Sequence, residues 1–95
     1  MANFLCIAQF ISKPGKEEEL YKSLLTLLAP TRAEPGCISY NLHQNVENSS
    51  IFTMTECFES KEAFDFHATQ PYLQQFRESV KDVIESASLT LGTKL

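Results

Sequence analysis

The sequence predicts an α+β fold in which a four-stranded antiparallel sheet carries helices on one face. Three observations point there. Four separate stretches alternate or run apolar in the manner of strands. The first and third of these are each followed by residues at helical spacing. The 95 residues suffice for one hydrophobic core and not for two, so residues 1–95 are expected to form a single domain.

From Asn3 to Ser12, Phe4, Cys6, Ala8 and Phe10 alternate with Leu5, Ile7, Gln9 and Ile11, giving a strand with apolar side chains on both faces. Lys13-Pro14-Gly15-Lys16 is a turn, because proline presets one dihedral and glycine supplies the permissive one. In the helix that follows, Leu20, Leu24, Leu27 and Leu28 make one apolar stripe, and Glu17, Glu18 and Glu19 crowd the first turn, where the helix dipole favours negative charge. Pro30 should kink this helix or end it near Leu28.

Glu34-Pro35-Gly36 is the next break. Cys37 to Asn45 reads as a second strand, with Ile38, Tyr40 and Leu42 on one face and Cys37, Ser39, Asn41 and His43 on the other. A polar loop leads to a third strand, Ile51 to Phe58, whose Phe52, Met54, Glu56 and Phe58 share one face. Ser60 suits the N-cap of a short helix running to about Ala68. Pro71 opens another, with Leu73, Phe76, Val80 and Val83 on one side, to about Glu85. Ala87 to Thr93 alternates as a last strand.

Strand, helix, strand, strand, helix pair, strand is the order of a ferredoxin-like βαββαβ fold, with both helical layers on one side of the sheet. The other side stays bare, yet the first strand is apolar there too. A large apolar patch on a monomer calls for a cover, and the same face of a second copy is the simplest one. A homodimer, a dimeric α+β barrel, is expected.

Composition narrows the function. Hydrophobic residues make up 43% and charged residues 21%, ordinary for a globular protein. The net charge of -4 and the scattered Lys and Arg offer no basic stripe, so nucleic acid is not expected as a partner. The start Met-Ala-Asn-Phe lacks the features of a signal peptide, and no apolar run reaches the roughly 20 residues of a membrane span, so a cytoplasmic protein with no membrane partner is expected. Cys6, Cys37 and Cys57 are odd in number, widely spaced and placed in strands, and read as small buried hydrophobes.

Two residues break the apolar pattern. Glu56 lies between Met54 and Phe58 on its strand face, where an ionised carboxylate is costly without a partner. His67 shares the apolar side of its helix with Phe64 and Ala63. If both point into the space between helices and sheet, an acid and an imidazole face one pocket and a general base can form there. The plainer reading is also open: Glu56 pairs with a cation such as Arg32, and His67 is a hydrogen-bonded core residue. Tyr72 and Tyr40 can orient a substrate or simply pack. His43 belongs to the polar face, as a surface or dimer-contact residue. No metal site is expected, because His43 and His67 lack ligand spacing.

Lys13-Pro14-Gly15-Lys16 with Glu18-Glu19-Leu20, Arg32-Ala33-Glu34-Pro35-Gly36-Cys37 with Tyr40, Glu56 before Ser60, and His67 before Pro71-Tyr72 follow one another in an order that resembles the antibiotic biosynthesis monooxygenase domain. The likeness spans nearly the whole chain. It implies a dimeric ferredoxin-like protein that oxygenates a quinol or polyphenol-type aromatic with dioxygen and without metal, flavin or haem. On that likeness His67 or Glu56 is the catalytic base and Tyr72 positions the ring, with Phe58 standing where many members have a tryptophan; Tyr72, Phe58 and Tyr40 are the expected substrate-binding residues. The first strand and last helix offer Gln9 and Phe76-Arg77 where the haem-degrading branch has asparagine and histidine, so haem ligation is not expected.

Two other functions stay in view. One is isomerisation of a small phosphorylated signal molecule, for which Arg32, Lys61 and Arg77 are the available phosphate donors. The other is a non-catalytic dimeric domain that binds small molecules.

Overall fold

The computed structural model describes residues 3–95; Met1 and Ala2, on which part of the leader expectation rests, lie outside them. The described chain runs β1 (Phe4–Ser12), α1 (Glu17–Leu25), α2 (Leu28–Arg32), β2 (Cys37–Gln44), β3 (Ile51–Phe58), α3 (Lys61–Ala68), α4 (Pro71–Val80) and β4 (Ile84–Thr93). The strands form one antiparallel sheet in the order β2-β3-β1-β4. This is the ferredoxin-like α+β arrangement expected from the order of elements. Among the described residues no helix is long and apolar enough to cross a membrane.

Alternation decides which residues fill the layer between sheet and helices. Phe52, Met54, Glu56 and Phe58 of β3 are all buried there, beside Cys6 and Ala8 of β1, and Leu20, Leu24 and Leu27 close over them. Gly15 makes the turn into α1 with φ of 81°, a conformation that costs glycine little. Pro30 is accommodated without a kink in a long helix. The first helix stops at Leu25 and a new one begins at Leu28, so Pro30 falls in a first turn, where its missing donor has no intrahelical partner to lose.

Several local expectations are corrected. Ile38 does not share the inner face with Tyr40. The β2–β3 register shifts between Cys37 and Ser39, so Cys37 opposes Phe58 and Tyr40 opposes Glu56, and the extra residue, Ile38, is left 50% exposed. The last helix ends at Val80 and not near Glu85, and the last strand starts at Ile84 and not at Ala87. Pairing with β1 outweighs helical periodicity here: Ile84 opposes Ser12, and the Lys13 amide donates to the Val83 carbonyl at 2.8 Å. The cysteines are all free, but only Cys6 is fully buried; Cys37 and Cys57 are partly exposed.

The sheet face without helices carries Leu5 and Ile7, 40% and 37% exposed. On β2 the same face is polar, with His43 sharing a hydrogen bond with Thr55 at 3.0 Å.

Candidate active site

Four elements bring their polar residues to one place. β3 turns Glu56 toward the helices because its even-numbered neighbours fill the core. Ser60 caps α3 by accepting from the Ala63 amide at 3.1 Å, which sets the helix so that His67 faces the sheet. The link between α2 and β2 places Glu34 behind His67, and the first turn of α4 supplies Tyr72.

His67 lies between two carboxylates. Its Nδ1 is 2.9 Å from Glu34 Oε2 and its Nε2 is 3.8 Å from Glu56 Oε1, with all three side chains buried. The Tyr72 hydroxyl donates to the same Glu34 Oε2 atom. With the Tyr72 hydroxyl donating to it, Glu34 Oε2 is an acceptor, so the imidazole proton is assigned to Nδ1, the tautomer that completes this contact, and Nε2 is then the nitrogen that faces Glu56. The other Glu34 oxygen, Oε1, is buried without a hydrogen-bond partner. Phe58, Tyr40 and Phe64 surround the imidazole, with ring centroids 5.1, 5.4 and 6.4 Å away.

Burial pushes the Glu56 carboxyl up from its usual range to about 7, and the nearby Glu34 charge adds to this. The Cys6 thiol, opposite Glu56 on β1, works in the other direction by hydrogen bonding. The same burial raises Cys6 to about 12, with help from the Glu56 charge, so it stays a thiol. Burial first and then the contact with Glu34 raise the Tyr72 phenol, and burial first and then the Glu56 charge raise that of Tyr40. Both remain proton donors at neutral pH. A carboxyl that titrates near neutrality beside an imidazole is suited to accepting a proton from a weakly acidic hydroxyl.

These groups open into a cavity of about 410 Å³. Glu56, His67, Tyr40 and Cys6 stand at one end of it, and its walls are mostly apolar, Phe10, Leu73 and Phe76 among them. Tyr72 and Phe58 are not among the lining residues: Tyr72 reaches Glu34 on the far side of His67, and Phe58 packs against the imidazole. Arg32 does not pair with Glu56. Its Nε donates to the Tyr40 carbonyl at 2.9 Å, and it also reaches Asn41. Lys61 is paired on the surface with Asp65. Glu34 is the site residue that sequence reasoning missed, since Glu-Pro-Gly looks like nothing more than a turn. Among the described residues no group of three or more His, Cys, Asp or Glu side chains is arranged to hold a metal ion.

In comparison with known proteins, residues 3–79 match the family described as antibiotic biosynthesis monooxygenase. The chain belongs to that family. It is 35% identical over 72 residues to the Synechocystis protein sll1783, a match covering 76% of this chain and 49% of the relative, so the chain spans about half that protein's length. It is 31% identical over 78 residues to a Mycobacterium tuberculosis protein named "Putative monooxygenase Rv0793", covering 82% of this chain and 76% of the relative. The solved structure of PA3566 from Pseudomonas aeruginosa is similar with a TM-score of 0.96 at 28% identity, over 100% of this chain and 96% of that one. In this antibiotic biosynthesis monooxygenase domain the matched span contains β1 to β3 and nearly all of α4, and with them Glu34, Glu56, His67 and Tyr72.

Proposed function

We propose that the chain is a cofactor-independent monooxygenase acting on a quinol or polyphenol-type aromatic. One observation carries the reading: the Glu56 and His67 pair, 3.8 Å apart and itself buried, stands at the end of a largely apolar cavity. A substrate hydroxyl placed at that gap meets His67 Nε2 and a Glu56 carboxyl that titrates near neutrality, so its proton can be taken. The resulting anion is electron-rich enough to reduce dioxygen itself. A quinol plus dioxygen balances to a hydroxyquinone plus water, with one oxygen atom on the ring and the other in the water. The chain contributes a base, orientation through Tyr40, and exclusion of bulk water. Membership of a family described as monooxygenases supports the same reaction class.

The working unit in this reading is a homodimer, because the bare sheet face exposes Leu5 and Ile7 side by side with partly exposed Ile11 and Ile51. The test is oxygen consumption with menadiol, with autoxidation subtracted. The His67→Ala variant is expected to lose about a hundredfold or more of the rate. An unchanged rate in that variant overturns the assignment of His67.

A further inference from the structure

Charge is distributed along the cavity in a way that the acid and base chemistry does not use. Cys6 opposes Glu56, and Phe10, four residues along β1, opposes Ala87. The cavity touches all four residues, so it extends about 14 Å along the strand, at 3.4 Å per residue. Its far end is marked by Phe10 and Phe76, whose rings meet edge-on at 5.7 Å. Next to Phe76 on α4 stands Arg77, and one turn further is Lys81. Both line the cavity.

The two cations are at the rim and open to solvent. Among the described residues Arg77 enters none of the ion pairs, and Lys81 has only a loose, exposed one with Glu78 at 3.7 Å. Of the three phosphate donors considered from sequence, Arg77 alone faces the cavity; Arg32 and Lys61 are engaged elsewhere. Cations also suit the end of α4 because of the helix dipole, which accounts for their presence but predicts no preference among ligands.

We infer that the substrate is an extended aromatic with its reacting hydroxyl at Glu56 and His67 and an anionic substituent at the opposite end, held at the cavity mouth by Arg77 and Lys81. The inference rests on the reading of this cavity as the substrate site. The apolar middle takes the ring system, and the distance between the polar ends selects a fused or elongated ring over a single phenol. Because the cations are exposed, their attraction is moderate and falls as salt rises.

The experiment is a calorimetric titration of the whole chain, just below neutral pH, with two unreactive ligands that differ in one group: 2-naphthol and 6-hydroxy-2-naphthoate. The naphthoate is expected to bind about tenfold more tightly, the effect of two partly screened ion pairs. That advantage should shrink with added salt and vanish in Arg77→Gln/Lys81→Gln, while 2-naphthol binds the variant as before. The swap Arg77→Lys/Lys81→Arg should keep it. Equal affinities in the unmodified chain, or a preference that survives the double glutamine variant, overturns the inference. Binding of 2-naphthol alone overturns it too and leaves the reading of the cavity standing. Binding of neither ligand removes both.

Discussion

Glu34 holds His67 from behind, its Oε2 atom 2.9 Å from the imidazole Nδ1, with both side chains buried. The contact fixes the ring's orientation and leaves Nε2 directed at Glu56. If His67 is the base, as proposed above, a carboxylate on its far side holds it poised without consuming it.

Glu34 should therefore act as a positioning residue. Glu34→Gln keeps the shape but presents an amide to two donors, and turnover is expected to fall by roughly one to three orders of magnitude with an altered pH profile. Glu34→Ala leaves His67 and Tyr72 without their shared acceptor, and should lower stability by about 3 kcal/mol in urea titration. A Gln variant with unchanged turnover and pH profile would show that the contact is structural only.

Glu56 makes stability depend on pH. Its carboxyl is held at about 7 in the fold against an ordinary 4.5, so between these values the folded state keeps a proton that the unfolded chain has lost. Stability from this group is complete below the lower value and declines as pH rises through the upper one. Glu56→Gln removes the charged form and should be the more stable protein above about pH 8, by at most on the order of 3 kcal/mol, with little difference near about pH 4. Urea midpoints measured across that range give the answer.

Gly36 allows the start of β2 to approach α3. A Cβ there would run into the Ala63 Cβ, on the helix that carries His67. Gly36→Ala should cost about 1 to 3 kcal/mol by thermal unfolding. Adding Ala63→Gly should recover part of the loss, less about 1 kcal/mol for glycine within a helix.

Ile7 stands on the sheet face that the helices leave bare, in the middle of β1. If a second copy covers that face, Ile7→Lys places a charge in a dry interface, and light scattering should find monomers where the unmodified chain is dimeric. A monomeric unmodified chain would contradict the homodimer directly.

The sequence by itself determined the sheet and its inner face, because period-two alternation is a local property. Phe52, Met54, Glu56 and Phe58 had to point one way once β3 was a strand. Ser60 likewise announced α3 through a capping bond made within three residues. That reasoning reached Glu56 and His67 as inward-facing residues but could not relate them to Glu34, since the contact joins residues 33 apart in the chain. Only the tertiary structure decided that a glutamate in a turn would become the partner of His67, that Arg32 would spend its donors on β2, at the Tyr40 carbonyl and the Asn41 side chain, and that Tyr72 would stand behind the imidazole and not beside the cavity. It also decided that Ile38 would bulge outward and that β4 would begin at Ile84. The reason is the same in each case. A side chain's neighbours along the chain govern which face it takes, whereas its partners across the core depend on how separate elements dock, and no local pattern records that.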